Sequence, residues 1–214
     1  MEFIPSEIAL YAEEHSSAEN EILKKINRYT QSHVLMPRMI SGHIQGRALA
    51  MFSQMINPKY ILEIGTYTGY SALCLAEGLV GDGKLITIDN NEELEDLVKE
   101  HVSMSPKASQ IEVRTGNALD IIETYNYAWD MVFIDADKEN YLNYYKQIID
   151  KIKPGGFILA DNVLWSGKVV DPKSLSKDID TQKIHEFNEY IANDSRVEHV
   201  LLPIRDGIMV VRKK

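Results

Sequence analysis

Tyr60-Ile61-Leu62-Glu63-Ile64-Gly65-Thr66-Tyr67-Thr68-Gly69-Tyr70-Ser71 decides the fold. An apolar, β-branched run enters an acidic residue and a glycine-bearing turn, and a helical apolar pattern (Ala72, Leu73, Leu75, Ala76, Leu79) follows at once. The stretch reads as strand, tight loop and helix. Gly65 and Gly69 can adopt backbone angles closed to other residues, and the helix start presents unpaired N–H groups, so the junction suits a nucleotide-type cofactor. Its Gly-x-x-x-Gly spacing lacks the third glycine expected where a pyrophosphate rests on a helix N-terminus, which argues against a dinucleotide and a Rossmann oxidoreductase. Taken alone, the loop also suits any α/β protein that needs glycine in a strand-to-helix turn.

Downstream, strand patterns at 60–64, 84–88, 111–114, 131–134 and 157–160 alternate with helical ones. Strands joined by helical crossovers imply a parallel, doubly wound sheet. Two further strands, 198–202 and 208–211, are separated only by Pro203-Ile204-Arg205-Asp206-Gly207, so they form a hairpin and one of them runs antiparallel. Upstream, residues 6–30 read as a helix with a capping box from Ser16 and Glu19 and a stripe of Ile22, Leu23 and Ile26. After a break at Met36-Pro37-Arg38, a second helix carries Ile44, Ala48, Leu49, Met51, Phe52 and Met55, and Asn57-Pro58 ends it. The expected fold is α/β: a Rossmann-like, doubly wound, mostly parallel seven-stranded sheet with an antiparallel C-terminal hairpin strand and extra N-terminal helices. One domain is expected over 1–214, with 1–57 a helical cover and 58–214 the core.

Composition narrows the function classes. A content of 44% hydrophobic and 26% charged residues in 214 is ordinary for a globular domain, and no apolar run reaches the roughly 20 residues of a membrane span. Met1-Glu2-Phe3-Ile4-Pro5 lacks a signal-peptide pattern and the single Cys74 permits no intrachain disulfide, so a cytoplasmic setting is expected. The formal net charge of −9 opposes broad attraction to a phosphate backbone but leaves room for a local basic patch. The six histidines lack metal-ligand spacing.

In an open α/β sheet, ligands sit beyond the carboxyl ends of the strands. The second strand ends in Asp89, 24 positions after Gly65, near the interval of about 20 typical of a carboxylate that grips ribose hydroxyls. The fourth ends Phe133-Ile134-Asp135-Ala136-Asp137-Lys138-Glu139-Asn140-Tyr141, and the fifth leads into Asp161-Asn162-Val163-Leu164-Trp165. Asp135, Asp161 and Asn162 offer three hard oxygen donors and no soft ligand, which suits Mg²⁺, or Mn²⁺ or Ca²⁺, with positions open for substrate. Capping of turns and helices is the competing use of such residues.

These three stretches together resemble the cation-dependent class I O-methyltransferases, the group of the caffeoyl-CoA and catechol enzymes with many bacterial relatives. The resemblance spans nearly the whole chain and includes Pro203-Ile204-Arg205-Asp206-Gly207. It implies S-adenosylmethionine as cofactor, with Gly65 and Ser71 at its methionine part, Glu63 shaping the loop, Asp89 on the ribose, Ala118 against the adenine and Ser41 at the amino-acid end. It implies Asp135, Asp161 and Asn162 as ligands of the divalent metal, with Asp135 also beside the cofactor, and Lys138 as general base. A hydroxyl is a poor nucleophile until its proton leaves. A metal chelating two adjacent oxygens and a neutral Lys138 would share that activation. Trp165, Met39 and Arg38 are the candidate substrate residues, and a homodimer is implied.

The sequence departs from the family before the second helix. Gln45 stands where an acidic residue often precedes the glycine, and Arg38, His43 and Arg47 surround it. These bases suit an anionic substrate part, such as a coenzyme A or nucleic-acid phosphate, or plain solvation. The expected substrate is a small molecule with vicinal hydroxyls, catechol-like. The alternatives are a hydroxylated uridine of tRNA under the same chemistry and a protein that binds the cofactor without catalysis.

Overall fold

The computed structural model describes residues 4–214. In chain order these form α1 (Ser6–Glu14), α2 (Glu21–His33), α3 (Gly42–Ile56), β1 (Tyr60–Ile64), α4 (Tyr70–Ala76), β2 (Lys84–Asp89), α5 (Glu95–Ser103), β3 (Ile111–Thr115), α6 (Ala118–Glu123), β4 (Trp129–Ile134), α7 (Tyr141–Ile148), β5 (Ile152–Ala160), α8 (Pro172–Lys177), α9 (Ile179–Asn193), β6 (Val197–Leu202) and β7 (Ile208–Lys213). The sheet order is β3-β2-β1-β4-β5-β7-β6. The first five strands are mutually parallel, and β7 runs antiparallel to both neighbours.

Alternation along each strand sends side chains to two faces, and both are covered. Leu62, Ile64, Val132, Ile134, Ile158 and Ala160 pack with α6, α7 and α9. Ile61, Met131, Phe133 and Leu159 pack with α2, α3, α4 and α5. The strand order reverses between β1 and β4, the topological switch point where a crevice opens in such sheets. Register makes that crevice exact in height: Ile64 pairs with Ile88 and with Ile134, and Ile134 pairs with Ala160. Gly65, Asp89, Asp135 and Asp161 therefore emerge in one row. Among the described residues, no helix is long and apolar enough to cross a membrane.

The expected helix over 6–30 is two helices, broken at residues 15–20. Asn20 caps α2, its side chain accepting from Leu23 N at 2.9 Å. The Ser16–Glu19 box does not form, because both side chains have other partners. Ser16 Oγ donates to Ala12 O at 2.7 Å, and Glu19 accepts from the Tyr70 hydroxyl and from Asn27. The fifth strand also starts earlier than 157, running back through Pro154-Gly155-Gly156 to Ile152. Replacing Asn20 with Ala should lower stability by about 1 kcal/mol in urea unfolding, and Ser16→Ala by less than about 0.5 kcal/mol. Equal losses would return the cap to Ser16.

Candidate active site

The site begins with the turn after β1. Gly65 has φ +99°, and a Cβ there would lie 1.8 Å from the carbonyl oxygen of Asp135. Only glycine lets the β1 and β4 ends approach so closely. Backbone bonds hold the junction: Gly65 N donates to Ile88 O (2.8 Å), Asp135 N to Ile64 O (2.8 Å) and Asp161 N to Ile134 O (2.9 Å). Asp89 Oδ2 accepts from Thr66 N (2.9 Å) and Tyr67 N (2.7 Å), while its Oδ1 accepts from Asn91 N (3.0 Å). Asp89 thus organises the glycine loop and keeps spare acceptor capacity beside it. Thr30 of α2 donates to Thr68 Oγ1 (3.1 Å), and buried His101 of α5 donates from Nδ1 to Thr68 O (2.8 Å). The Tyr67 hydroxyl donates to Leu35 O (2.9 Å), tying the turn Pro37–Met39 to the loop. Arg38 and Met39 sit on that turn, exposed.

Behind the loop, Glu63 is fully buried; its Oε2 accepts from the Thr87 hydroxyl (2.6 Å), and Oε1 has no partner. Burial pushes its carboxyl up to about 8; the nearby Ser71 hydroxyl and then the Thr87 hydroxyl oppose that rise, and the Asp135 and Asp89 carboxylates add to it. The buried Glu63 carboxyl and Ser71 hydroxyl behind the glycine loop suit a ligand with a polar end. Ser71 in the first turn of α4, Ser41 just ahead of α3 and Ala118 at the start of α6 are all buried.

Between β4 and β5 lies a compact polar cluster. Lys138, 7% exposed, donates from Nζ to the Tyr141 hydroxyl (2.6 Å), Asn162 Oδ1 (2.9 Å) and Asp135 Oδ1 (3.3 Å). Burial to this degree sets Lys138 apart from a solvated surface lysine. Burial keeps the Tyr141 phenol well above its ordinary value, so it stays protonated and donates to Asp161 O (3.1 Å). Asp161 is buried too: Oδ1 accepts from Asn162 N (2.8 Å) and Oδ2 from Gln45 Nε2 (2.6 Å). Its carboxyl is raised by burial and then by the Asp135 charge, against the pull of Gln45, the Asn162 N–H and Lys138. Asn162 holds the left-handed conformation at φ 58°.

Asp135 and Asn162 thus share one cation, the Lys138 ammonium, and Asp161 lies against both. Hard oxygens that already attract a cation fit a divalent ion of the Mg²⁺ type. No group of three or more His, Cys, Asp or Glu that could hold a metal ion occurs among the described residues; the oxygens gathered here belong to two carboxylates and one amide. The Trp165 ring lies with its centroid 5.6 Å from Lys138 Nζ, which brings this candidate substrate residue to the cluster.

Sequence reasoning missed the support from the terminal hairpin. Arg205 Nη1 donates to Gln45 Oε1 (3.0 Å), Asp206 Oδ1 accepts from Ser166 N (2.5 Å), and the carbonyls of Asp206 and Gly207 accept from Leu164 and Val163. Only the turn motif itself hinted at this. Two of the three basic residues near Gln45 have other partners: Arg47 pairs with both oxygens of Glu77, and His43 Nε2 bonds to Ser17 O (2.7 Å).

Comparison with known proteins gives a consistent result. The family model described as O-methyltransferase matches residues 13–214. Caffeoyl-CoA O-methyltransferase 1 of Nicotiana tabacum is 37% identical over 205 residues, covering 91% of this chain and 85% of that protein. An O-methyltransferase of Bacillus cereus, solved in complex with SAH, superposes with a TM-score of 0.89 at 31% identity, covering 97% of each chain. A Streptomyces achromogenes O-methyltransferase involved in tomaymycin synthesis, solved with SAM, gives 0.89 at 28% identity, covering 97% and 96%.

The raised Glu63 carboxyl has a testable sign. The native state holds this proton from the ordinary carboxylate range up to about 8, whereas the unfolded chain has lost it. Its contribution to stability is therefore full at acid pH and is lost as pH rises toward 8. Melting of the ligand-free protein at pH of about 6 and about 8.5 should show a smaller fall for Glu63→Gln than for the parent. Equal falls would remove Glu63 as a source.

Proposed function

The chain belongs to the O-methyltransferase family, and on that premise we propose that it transfers a methyl group from S-adenosylmethionine to one of two vicinal hydroxyls on a catechol-like small molecule, with Mg²⁺ as the foremost cation. The observation that carries this reading is Lys138, buried with its ammonium on the oxygens of Asp135 and Asn162 at the carboxyl edge of the sheet. Asp135, Asp161 and Asn162 would hold the divalent cation. When bound, that ion would fix two adjacent substrate oxygens and lower the pKa of one.

This chain's own residues supply the rest. The loop from Gly65 to Ser71, shaped by buried Glu63 behind it, would seat the methionine end of the donor, with Ser41 near its amino-acid group, Asp89 at the ribose and Ala118 at the adenine. When bound, the donor would supply an electrophilic methyl group: the C–O bond to the acceptor would form as the C–S bond breaks, with sulfur keeping the electron pair and becoming neutral. For Lys138 to act as base its ammonium would first give up a proton to solvent; the free amine, held beside the Tyr141 hydroxyl, would then take the hydroxyl proton at Nζ. The Trp165 ring provides an aromatic wall for a flat acceptor.

For the acceptor, the supporting observation is the dispersal of the basic trio. With Arg47 and His43 engaged elsewhere, Arg38 is the one left exposed at the mouth, a poor platform for nucleic acid on a chain of net charge −9. A catechol-bearing thioester like the one named in the plant relatives is within the proposed class. The buried free thiol of Cys74 suits a cytoplasmic setting. Helix α1 buries none of its residues and exposes Ile8, Leu10 and Tyr11, which supports a homodimer that covers it. We read 1–57 as the cover and 58–214 as the core of one methyltransferase unit.

Labelled S-adenosylmethionine offered with Mg²⁺ to a catechol panel and, separately, to total RNA should label the catechols in a chelator-sensitive way; label in RNA alone would move the acceptor to a hydroxylated uridine of tRNA. In the same assay Asp161→Ala should abolish Mg²⁺-dependent turnover while cofactor binding persists. Lys138→Ala should lower kcat by about 10²- to 10⁴-fold. Unchanged turnover in either variant would refute the role assigned to it.

A further inference from the structure

Asp161 is buried at 3% exposure, and the side chain that holds its inner oxygen comes from α3, 116 positions earlier: Gln45, 1% exposed, donates from Nε2 to Asp161 Oδ2 at 2.6 Å. Gln45 in turn accepts at Oε1 from Arg205 Nη1, at 3.0 Å. Arg205 belongs to the β6–β7 turn and also donates from Nη1 to Ile40 O (3.3 Å), just ahead of α3. Three segments distant in sequence thus meet in one chain of hydrogen bonds, from the exposed hairpin tip to a buried carboxylate.

The chemistry of the chain gives it a direction. An ionised carboxylate accepts only, so Asp161 calls for the NH₂ of Gln45 and leaves the amide oxygen for a second partner. Guanidinium has donors only, so Arg205 demands the Gln45 oxygen and leaves the NH₂ for Asp161. That NH₂ can only donate, so Asp161 Oδ2 is engaged as an acceptor on its inner side. Its Oδ1 is fixed from below by the Asn162 N–H at 2.8 Å. The carboxylate plane is then set by one bond at each oxygen, close enough to Asp135 and Lys138 to feel their charges.

We propose that Gln45 is a positioning residue for the cation ligand Asp161 and that Arg205 acts through it, by anchoring the amide with its NH₂ against the carboxylate. This rests on the reading of Asp161 as a ligand of the divalent cation. Neither residue touches the reacting atoms; each acts by orienting a ligand, and outer partners of that kind typically change metal affinity by about 10- to 100-fold when removed.

The test is Mn²⁺ binding to the purified full-length protein, followed by electron paramagnetic resonance, with S-adenosylhomocysteine binding measured in parallel by calorimetry. Gln45→Leu should weaken Mn²⁺ binding about tenfold or more, and Arg205→Ala, a change at the exposed end that leaves the core intact, should weaken it in the same direction. S-adenosylhomocysteine affinity should stay within about twofold in both, a split that general loss of structure would not produce. In the double variant the Arg205 change should add nothing, because its route to Asp161 is already gone. Wild-type Mn²⁺ affinity in Gln45→Leu and Arg205→Ala, or additive losses in the double variant, would overturn the proposal. Absence of Mn²⁺ binding by the parent protein would overturn the cation reading itself, and this inference with it.

Discussion

Gly65 lies so close to the Asp135 carbonyl that no side chain fits between them, and the architecture of the carboxyl edge depends on that contact. It lets β1 and β4 pair to their last residues and then diverge, one into the cofactor loop and the other toward Lys138. With the edge in register, Asp89 falls where it can hold the loop's N–H groups, and Asp161 falls beside Asp135. A donor seated on the loop and an acceptor held at the oxygens would thereby be neighbours.

The same edge concentrates negative charge. Glu63, Asp135 and Asp161 are buried or half-buried within a small volume, and burial together with mutual repulsion raises Glu63 and Asp161. Lys138 is the cation placed among them. Such an arrangement is costly for an empty fold and suits one that receives positive ligands, which here are the sulfonium donor and the proposed divalent ion. Stability and binding are coupled in this way: ligands of the expected charge would relieve the strain that the ligand-free fold carries at neutral pH.

The fold was largely legible because its signals are local. Strands buried on both faces appear as short apolar runs, and the five-residue connection at 203–207 forces a hairpin, so the mostly parallel sheet and its antiparallel strand followed, whereas the strand order came only from the structure. Asp89, Asp135, Asp161 and Asn162 could be read because strand ends mark the ligand edge. What escaped were partners joined only in three dimensions. Gln45 and Arg205 are 160 positions apart. Arg47 looked like part of a basic mouth until Glu77 claimed it. The Ser16–Glu19 spacing suggested a capping box, but Tyr70 and Asn27 draw Glu19 into tertiary contacts and Asn20 supplies the cap. A local pattern gives way when a distant partner competes for the same side chain.

The central claim is that methyl donor and cation occupy adjacent places on one sheet edge. The most direct test is the nuclear resonance of S-adenosylmethionine carrying a ¹³C-labelled methyl group, bound to the protein and titrated with paramagnetic Mn²⁺. The account predicts strong broadening of the methyl signal in the parent protein, reversed by chelator and lost in Asp161→Ala. A methyl signal that stays sharp while Mn²⁺ is bound would place the two ligands apart and contradict the account.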